Sequence, residues 1–211
     1  MTVSRRAFLG MLGAGSAAAA MPPAFGPVQA GALALPRPRR AAGPGNRYAD
    51  GMYAPVTEEV TAFDLPITGV LPPELDGRYL RNGPNPAGPV DPDRYHWFVG
   101  DGMVHGLRLR DGKAEWYRNR WVRSRSAVAS LGGTAAPGEN SMASWANTNA
   151  IGHGGKTFAI IEGGARPAEL TDELDTVRFS DFGGTLPHGF TAHPKRDPRT
   201  GQLHAATYWW Q

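Results

Sequence analysis

The sequence predicts an all-β protein, and three observations support this fold class. From Met52 onward, short stretches of alternating apolar and polar residues are separated by turn dipeptides, with almost no helical periodicity. The chain contains 28 Gly and 19 Pro, which favour turns. Six Trp help to supply the apolar surface that a packed core needs. The strand spacing is typical of a sandwich, a barrel or a propeller, and the pattern alone does not separate the three.

The N-terminal residues resemble a twin-arginine (Tat) export signal. Arg5 and Arg6 precede Ala7-Phe8-Leu9 and a weakly apolar run of Ala and Gly, which is too short to span a bilayer stably. A small-residue cleavage site follows at Val28-Gln29-Ala30. We assign residues 1–30 to this signal, which predicts export of an already folded protein to the periplasm or the medium. Uptake of a metal before export would give this route a physical reason.

A Pro/Gly/Arg-rich linker is predicted over residues 31–50, and the basic character of the chain belongs to this end. Residues 1–50 hold six Arg and one acid, whereas residues 51–211 hold 16 Lys and Arg against 18 Asp and Glu. No basic face is therefore predicted that would hold a nucleic acid. The absence of Cys excludes a disulfide framework and any Cys-ligated zinc or iron–sulfur site.

Residues 51–211 form the predicted β domain, and several of its strands can be placed. A hairpin is expected from Val104 to Val122, turning at Asp111-Gly112 in a type I′ turn. The continuous apolar run after Lys156 suits a strand buried on both faces. Residues 168–184 indicate two short strands around an acidic turn, with a helical turn over 169–174 as the alternative. A last strand over 202–210 has no partner after it, so we interpret the chain as a piece of a larger sheet protein.

Three stretches, residues 71–86, 96–124 and 147–203, resemble the carotenoid cleavage oxygenase family, which includes the retinal-pigment-epithelium isomerase and stilbene-cleaving dioxygenases. The specific part is the pair GDGMVH at 100–105 and TAHP at 191–194, in that order. The resemblance covers roughly residues 55–211. It implies the N-terminal part, roughly two to three blades, of a seven-bladed β-propeller that holds a non-haem Fe(II) on its axis through four histidines.

On this resemblance, His193 is the first of the four iron ligands, and the other three lie beyond this chain. Glu162 matches a position whose carboxylate accepts a hydrogen bond from a ligating imidazole, which fixes its tautomer and raises its basicity. Without the resemblance, Glu162 could instead be an exposed residue at the end of a strand, with no functional role. The remaining histidines are expected to pack, to hydrogen-bond or to be solvated: His96, His105, His153, His188 and His204.

The resemblance implies an oxidoreductase that cleaves a conjugated C=C bond with O2. The substrate would be a carotenoid, an apocarotenoid or a stilbene-like compound, held in an apolar tunnel. The alternative is an exported propeller that binds a carotenoid-like ligand without turnover. The 211-residue piece is expected to be inactive, because one histidine and one carboxylate cannot hold iron. The sequence leaves the substrate and any contact with a membrane surface open.

Overall fold

The computed structural model describes residues 46–141, 143–186 and 188–207. All of them belong to one compact unit, Pro38–Gln211. After a 3₁₀ turn at Gly51–Tyr53, the elements follow in this order: β1 (Thr61–Leu65), β2 (Gly77–Pro84), β3 (Gly102–Arg110), β4 (Lys113–Trp121), α1 (Arg125–Leu131), β5 (Asn149–His153), β6 (Lys156–Ile160), β7 (Ala168–Leu170), β8 (Thr176–Phe179), β9 (Lys195–Arg196) and β10 (Leu203–His204). No helix in these ranges is long and apolar enough to cross a membrane.

The first sheet is antiparallel, in the order β1-β4-β3-β2. Its centre is the hairpin β3–β4, which turns at Asp111 (φ 49°) and Gly112 (φ 70°). Two consecutive positive φ values are the mark of a type I′ turn, so the predicted hairpin and its turn type are confirmed. On the edge of this sheet, Asn82 and Gly83 continue β2 to its last residue, Pro84.

The second sheet is a simple antiparallel meander, β5-β6-β7-β8. Phe158, Ala159 and Ile160 of β6 are all buried, so the predicted strand with two buried faces is confirmed. The two short strands predicted after it are β7 and β8, and the acidic residues lie in the turn that joins them. The alternative of a helical turn over 169–174 is wrong.

The strand predicted over 202–210 is much shorter within the described residues. Leu203 and His204 form β10, which pairs with Arg196 and Lys195 of β9 across the turn at Asp197–Gly201. The strand therefore has a partner before it in the chain, which the sequence interpretation had not assigned. Trp209 and Trp210 lie outside the described residues.

Two apolar clusters pack against the two faces of the second sheet, and the first of them holds the two sheets face to face. The first joins Val104 and Trp116 of the first sheet to Ala159, Leu170 and Phe179 of the second. The second lies on the other face of the second sheet, where Phe158, Ile160 and Phe190 pack with partly buried side chains that include Leu203. The second sheet is thus packed on both faces. This face-to-face stacking is the arrangement of successive propeller blades: two complete four-stranded blades and the start of a third.

One helix, α1, was missed by the sequence analysis. Ser124 caps its N-terminus by accepting a hydrogen bond from the Ala127 amide, and Gly132 (φ 77°) ends it. Both cap residues were visible in the sequence. Seven residues give too few turns for a clear helical period, and the arginines and aromatics before it indicated a continuing strand.

The predicted signal, residues 1–30, lies outside the described residues, as does most of the predicted linker, 31–50. Residues 46–50 are described, and they pack against the loop before β3. The Asn46 side chain donates to the carbonyls of Pro92 (2.6 Å) and Tyr95 (2.8 Å), and the ring of Tyr48 lies 4.3 Å from that of His96. The contacts of the β domain therefore include residues 46–50, which the sequence analysis had placed in the linker.

Candidate active site

Glu162 lies where β6 ends and the chain turns sharply. Gly163 (φ 75°) and Gly164 (φ 95°) adopt left-handed backbone conformations that favour glycine. The backbone of Gly164 also lies against Gly189, where an added Cβ would come within 2.2 Å of the Gly164 Cα. This close approach brings the segment around Glu162 beside the segment that leads to His193.

His193 lies beside the first residue of β5. The Asn149 side-chain amide donates to the carbonyl of Ala192 (3.1 Å), which ties the two segments together. The His193 side chain is 67 % exposed, and its Nε2 lies 3.5 Å from Oε2 of Glu162. The structure therefore brings together the two residues that the sequence analysis singled out, although they are 31 positions apart in the sequence.

The two side chains lie close together without forming a hydrogen bond. A distance of 3.5 Å exceeds the usual range for N–H···O bonds. Oε2 of Glu162 is buried and has no hydrogen-bond partner among the described residues. A buried carboxylate oxygen without a donor is costly, so this oxygen is suited to accept an imidazole N–H or to face a cation.

Within the described residues, no group of three or more His, Asp or Glu side chains could hold a metal ion. His193 offers one imidazole nitrogen and Glu162 one carboxylate beside it. This pair fits one ligand of a histidine-ligated iron site and its neighbouring carboxylate. The pair does not make a metal site by itself.

A cavity of about 510 Å³ opens at the same end of the strands. It reaches Asn82 of β2, whose amide donates to the carbonyl of Asn149 (3.0 Å), and Thr148, whose amide donates to the carbonyl of Ile160 (2.9 Å). Most of the other lining is aromatic or apolar, and five aromatic rings contribute: Tyr48, Tyr53, Tyr95, Trp97 and Phe98.

The aromatic wall is preassembled but partly open to solvent. Trp97 and Phe98 stack with ring centroids 4.4 Å apart, and Tyr53 lies 5.9 Å from Trp97. Phe98 is 64 % exposed and Met52 is 88 % exposed. An apolar cavity with a few placed polar groups is the usual form of a small-molecule site.

His105 supplies one of those polar groups, and its surroundings favour the neutral imidazole. Its Nδ1 lies 2.8 Å from the hydroxyl of Tyr117. Burial lowers the pKa of His105 below its ordinary value of 6.5, and the nearby Arg81 guanidinium lowers it further. Burial also raises the pKa of Tyr117. The expectation that His105 packs and hydrogen-bonds is met by this geometry.

The other histidines lie away from the His193–Glu162 pair or serve other contacts. His96 packs against the rings of Trp97 and Phe98, as the sequence suggested. His153 ends β5 and contacts Arg196, with 3.3 Å between its Nδ1 and Nη1 of that arginine. The carbonyl of His188 accepts from Asn140 (3.3 Å), and His204 is exposed on β10.

The family profile described as retinal pigment epithelial membrane protein matches residues 53–210, three quarters of the chain. The chain belongs to the carotenoid cleavage oxygenase family. A curated relative, the carotenoid cleavage oxygenase of Mycobacterium tuberculosis, is 58 % identical over 167 residues, which cover 77 % of this chain and 33 % of the relative.

Two solved structures place the fold of this carotenoid cleavage oxygenase family member. The lignostilbene dioxygenase of Pseudomonas brassicacearum is 33 % identical with a TM-score of 0.66, and the match covers 76 % of this chain and 36 % of that one. A cobalt-substituted Synechocystis ACO is 26 % identical with a TM-score of 0.56, covering 70 % and 35 %. The chain thus spans about a third of the length of these relatives.

The aromatic cavity was not predicted from the sequence. The run Tyr95-His96-Trp97-Phe98 was a visible signal, since four adjacent aromatic rings cannot all be buried in one strand. The contribution of Tyr48 and Tyr53 had no such signal, because Tyr48 lies in the predicted linker and Tyr53 lies just after it, before the first predicted strand. Only the packing of residues 46–53 against the loop reveals it.

Proposed function

We propose that the intact protein is a non-haem Fe(II) dioxygenase that cleaves a conjugated C=C bond of a carotenoid, apocarotenoid or stilbene-like substrate with O2. Membership of the family and the printed names of its relatives support the class of reaction. One observation carries the proposal to this chain: His193 and the partnerless carboxylate of Glu162 meet at the end of the strands where the aromatic cavity opens.

His193 would supply one imidazole nitrogen to the iron, and further ligands would come from other parts of the intact protein. Glu162 would accept a hydrogen bond from a ligating imidazole, which orients that ring and raises its basicity. Bound Fe(II) would supply the activation of O2. The description of a solved relative as cobalt-substituted supports a metal centre in the family.

The aromatic cavity would bind one end of the apolar substrate. Stacked Trp97 and Phe98 offer flat surfaces that match a conjugated chain or a phenyl ring, and burying apolar area supplies binding free energy. Arg81 also lines the cavity and carries a charge, so the apolar part of a ligand would lie along the aromatic wall and not against this guanidinium. These features suit polyenes and stilbenes alike, so the cavity supports the class and does not choose between them.

One observation favours a second function: within the described residues, the site has a single imidazole and no group of side chains that could hold a metal ion. On that alternative, the intact protein binds a carotenoid-like ligand in the same cavity without turnover. The two proposals share the aromatic wall and differ only in whether iron and O2 take part.

We further propose that residues 1–30 act as a twin-arginine signal, so that the protein folds, takes up its metal and is then exported. Arg5 and Arg6 support this assignment. The exposed Met52 and Phe98 beside the cavity would allow peripheral contact with a membrane surface that supplies an apolar substrate. Fractionation of cells producing the intact protein tests the export: recovery of all of it in the cytoplasm would contradict the assignment.

Oxygen uptake by the iron-loaded intact protein tests the proposed activity. With an apocarotenoid or a hydroxystilbene, we expect stoichiometric consumption of O2 and two carbonyl products per substrate. Phe98→Ala should weaken substrate binding, whereas Val70→Ala, at an exposed apolar residue outside the cavity, should not. Tight binding of the polyene with no O2 consumed by fully iron-loaded protein would favour the binding propeller instead.

A further inference from the structure

A second cavity lies at the opposite end of β5 from the His193–Glu162 pair. It has a volume of about 420 Å³. Three separate segments build it: the start of β2, the turn between β5 and β6, and β9. Its lining residues are Arg78, Gly152, His153, Gly154, Gly155, Lys156, Thr157 and Arg196. Three of these side chains are basic, two arginines and one lysine, and no carboxylate lines the cavity.

Arg196 is held in a fixed orientation without an acidic partner. Its Nη2 donates to the carbonyl of Gly152 (2.6 Å), and its Nη1 donates to the carbonyl of Gly201 (3.1 Å). Among the described residues, no carboxylate oxygen lies within ion-pair distance of it. A guanidinium does not lose its proton, so this positive charge is present at every physiological pH.

The contact between Arg196 and His153 fixes a further donor. Nη1 of Arg196 lies 3.3 Å from Nδ1 of His153. Because a guanidinium can only donate, Nδ1 of the imidazole must accept, and the neutral ring then carries its hydrogen on Nε2. His153 therefore offers an N–H group beside the positive charge of Arg196.

The other two cations are only partly neutralised. Arg78 pairs with Asp172 (3.1 Å), and Lys156 pairs with Glu169 (2.6 Å). Glu169 is shared with Arg178 (3.2 Å), and hydrogen bonds from these cations lower its pKa, so it stays ionised. The three cations that line the cavity thus have two neighbouring carboxylates, one of them shared with Arg178, which leaves an excess of at least one positive charge at the cavity.

Donors remain free inside the cavity. Thr157 accepts from Nη2 of Arg78 (2.7 Å), so its hydroxyl hydrogen is left to donate elsewhere. Gly154 (φ 57°) and Gly155 (φ 74°) form the β5–β6 turn in left-handed conformations that favour glycine, so no side chain stands on this part of the rim. The site is rich in donors, poor in acceptors and net positive, which is the chemistry that recognises an oxyanion.

We propose that this cavity binds a small oxyanion of the phosphate class, supplied from solution. Arg196 and Lys156 are its charged ligands, and His153 and Thr157 donate neutral hydrogen bonds. The site is independent of the proposed oxygenase chemistry, because it lies at the other end of β5 and shares no residue with the aromatic cavity. Residues 51–211 carry a net negative charge, but this does not argue against an anion site, because folding brings these cations together at one place.

Calorimetric titration with inorganic phosphate tests the proposal, with sodium chloride at matched ionic strength as the reference. We expect saturable binding to the wild-type chain and about tenfold or weaker affinity in Arg196→Gln, because a charge-assisted ligand is lost. Arg199→Gln is the matched control: it lies in the same β9–β10 hairpin, is 90 % exposed and does not line the cavity. Lys156→Gln, at the half-exposed first residue of β6, keeps the test decisive if Arg196→Gln fails to fold.

Three results would overturn the proposal. The first is heat from phosphate that does not exceed that from chloride. The second is equal weakening by Arg196→Gln and Arg199→Gln. The third is sedimentation with phosphatidic acid vesicles combined with no saturable binding of free phosphate, which would place the anion in a lipid surface.

Discussion

At the scale of single residues, the pairing of His193 with Glu162 shows what sequence reasoning can and cannot supply. The resemblance marked both residues because each lies in a distinctive motif. Their 3.5 Å separation follows from the close contact of Gly164 with Gly189, which no local pattern encodes. The identity of the residues was therefore predictable, whereas the orientation of Nε2 toward a partnerless carboxylate oxygen was not.

His105 gives a prediction for pH. Its lowered pKa means that the unfolded chain takes up a proton below about pH 6.5, while the folded protein resists it. The unfolded state then binds more protons, so the free energy of unfolding should fall between about pH 7 and pH 5. The fall should be smaller in His105→Gln, measured by urea unfolding at the two pH values.

His204→Gln, at an exposed position, is the control for this experiment and should retain the wild-type pH dependence. Comparing the change with pH, rather than the absolute stability, removes the effect of losing the hydrogen bond to Tyr117. An unchanged fall in His105→Gln would show that other groups account for it.

At the scale of elements, the acidic turn between β7 and β8 locks the two blades together. Three of its acids pair with arginines of the first sheet: Asp172 with Arg78, Glu173 with Arg118, and Asp175 with Arg120. Leu174 lies between them, 1 % exposed, and enters the apolar cluster between the sheets. An added Cβ at Gly106 would come within 2.9 Å of its Cδ1, so a glycine on β3 makes room for it.

We expect the apolar side chain of this turn to matter more than its charges. Leu174→Ala should cost about 2–5 kcal/mol of unfolding free energy, because it leaves a cavity in the cluster. Glu173→Gln should cost less than about 1 kcal/mol of unfolding free energy, and this cost should disappear in high salt, because its ion pair lies near the surface. Denaturant unfolding of both variants with and without salt measures the difference, and a larger loss in Glu173→Gln would contradict it.

Local chemistry explains which elements were predictable. The β3–β4 hairpin was placed correctly with its turn type because Asp111-Gly112 encodes the turn. The β7–β8 turn was placed because its acids interrupt two β-rich runs. The helix α1 and the short pairing of β9 with β10 were not predicted. The helix has seven residues and β9 has two, which are too few to show a periodic pattern.

At the scale of the whole molecule, the face-to-face packing of the second sheet explains its apolar sequence. One face meets the first sheet and the other meets the segment that carries Phe190, so β6 has no solvent face. Composition and periodicity predicted an all-β protein but left three architectures open. The propeller came from the resemblance, since the angle between stacked sheets is set by long-range packing that a strand pattern does not record.

The same arrangement places a candidate binding site at each end of the strands. The His193–Glu162 pair and the aromatic cavity lie at one end, and the basic cavity lies at the other. Successive blades repeat the same strand directions beside a common axis, so residues distant in sequence converge at either end. This convergence is why one histidine in the described residues can be one ligand of a larger set.

The iron content of the purified intact protein tests the central claim most directly, namely that His193 binds the metal with Glu162 as its neighbour. We expect about one iron per wild-type chain, loss of most of it in His193→Ala, and weaker retention under a chelator, by about tenfold to a hundredfold, in Glu162→Gln. His204→Ala should retain wild-type iron. Full iron occupancy in a folded His193→Ala variant would contradict the account.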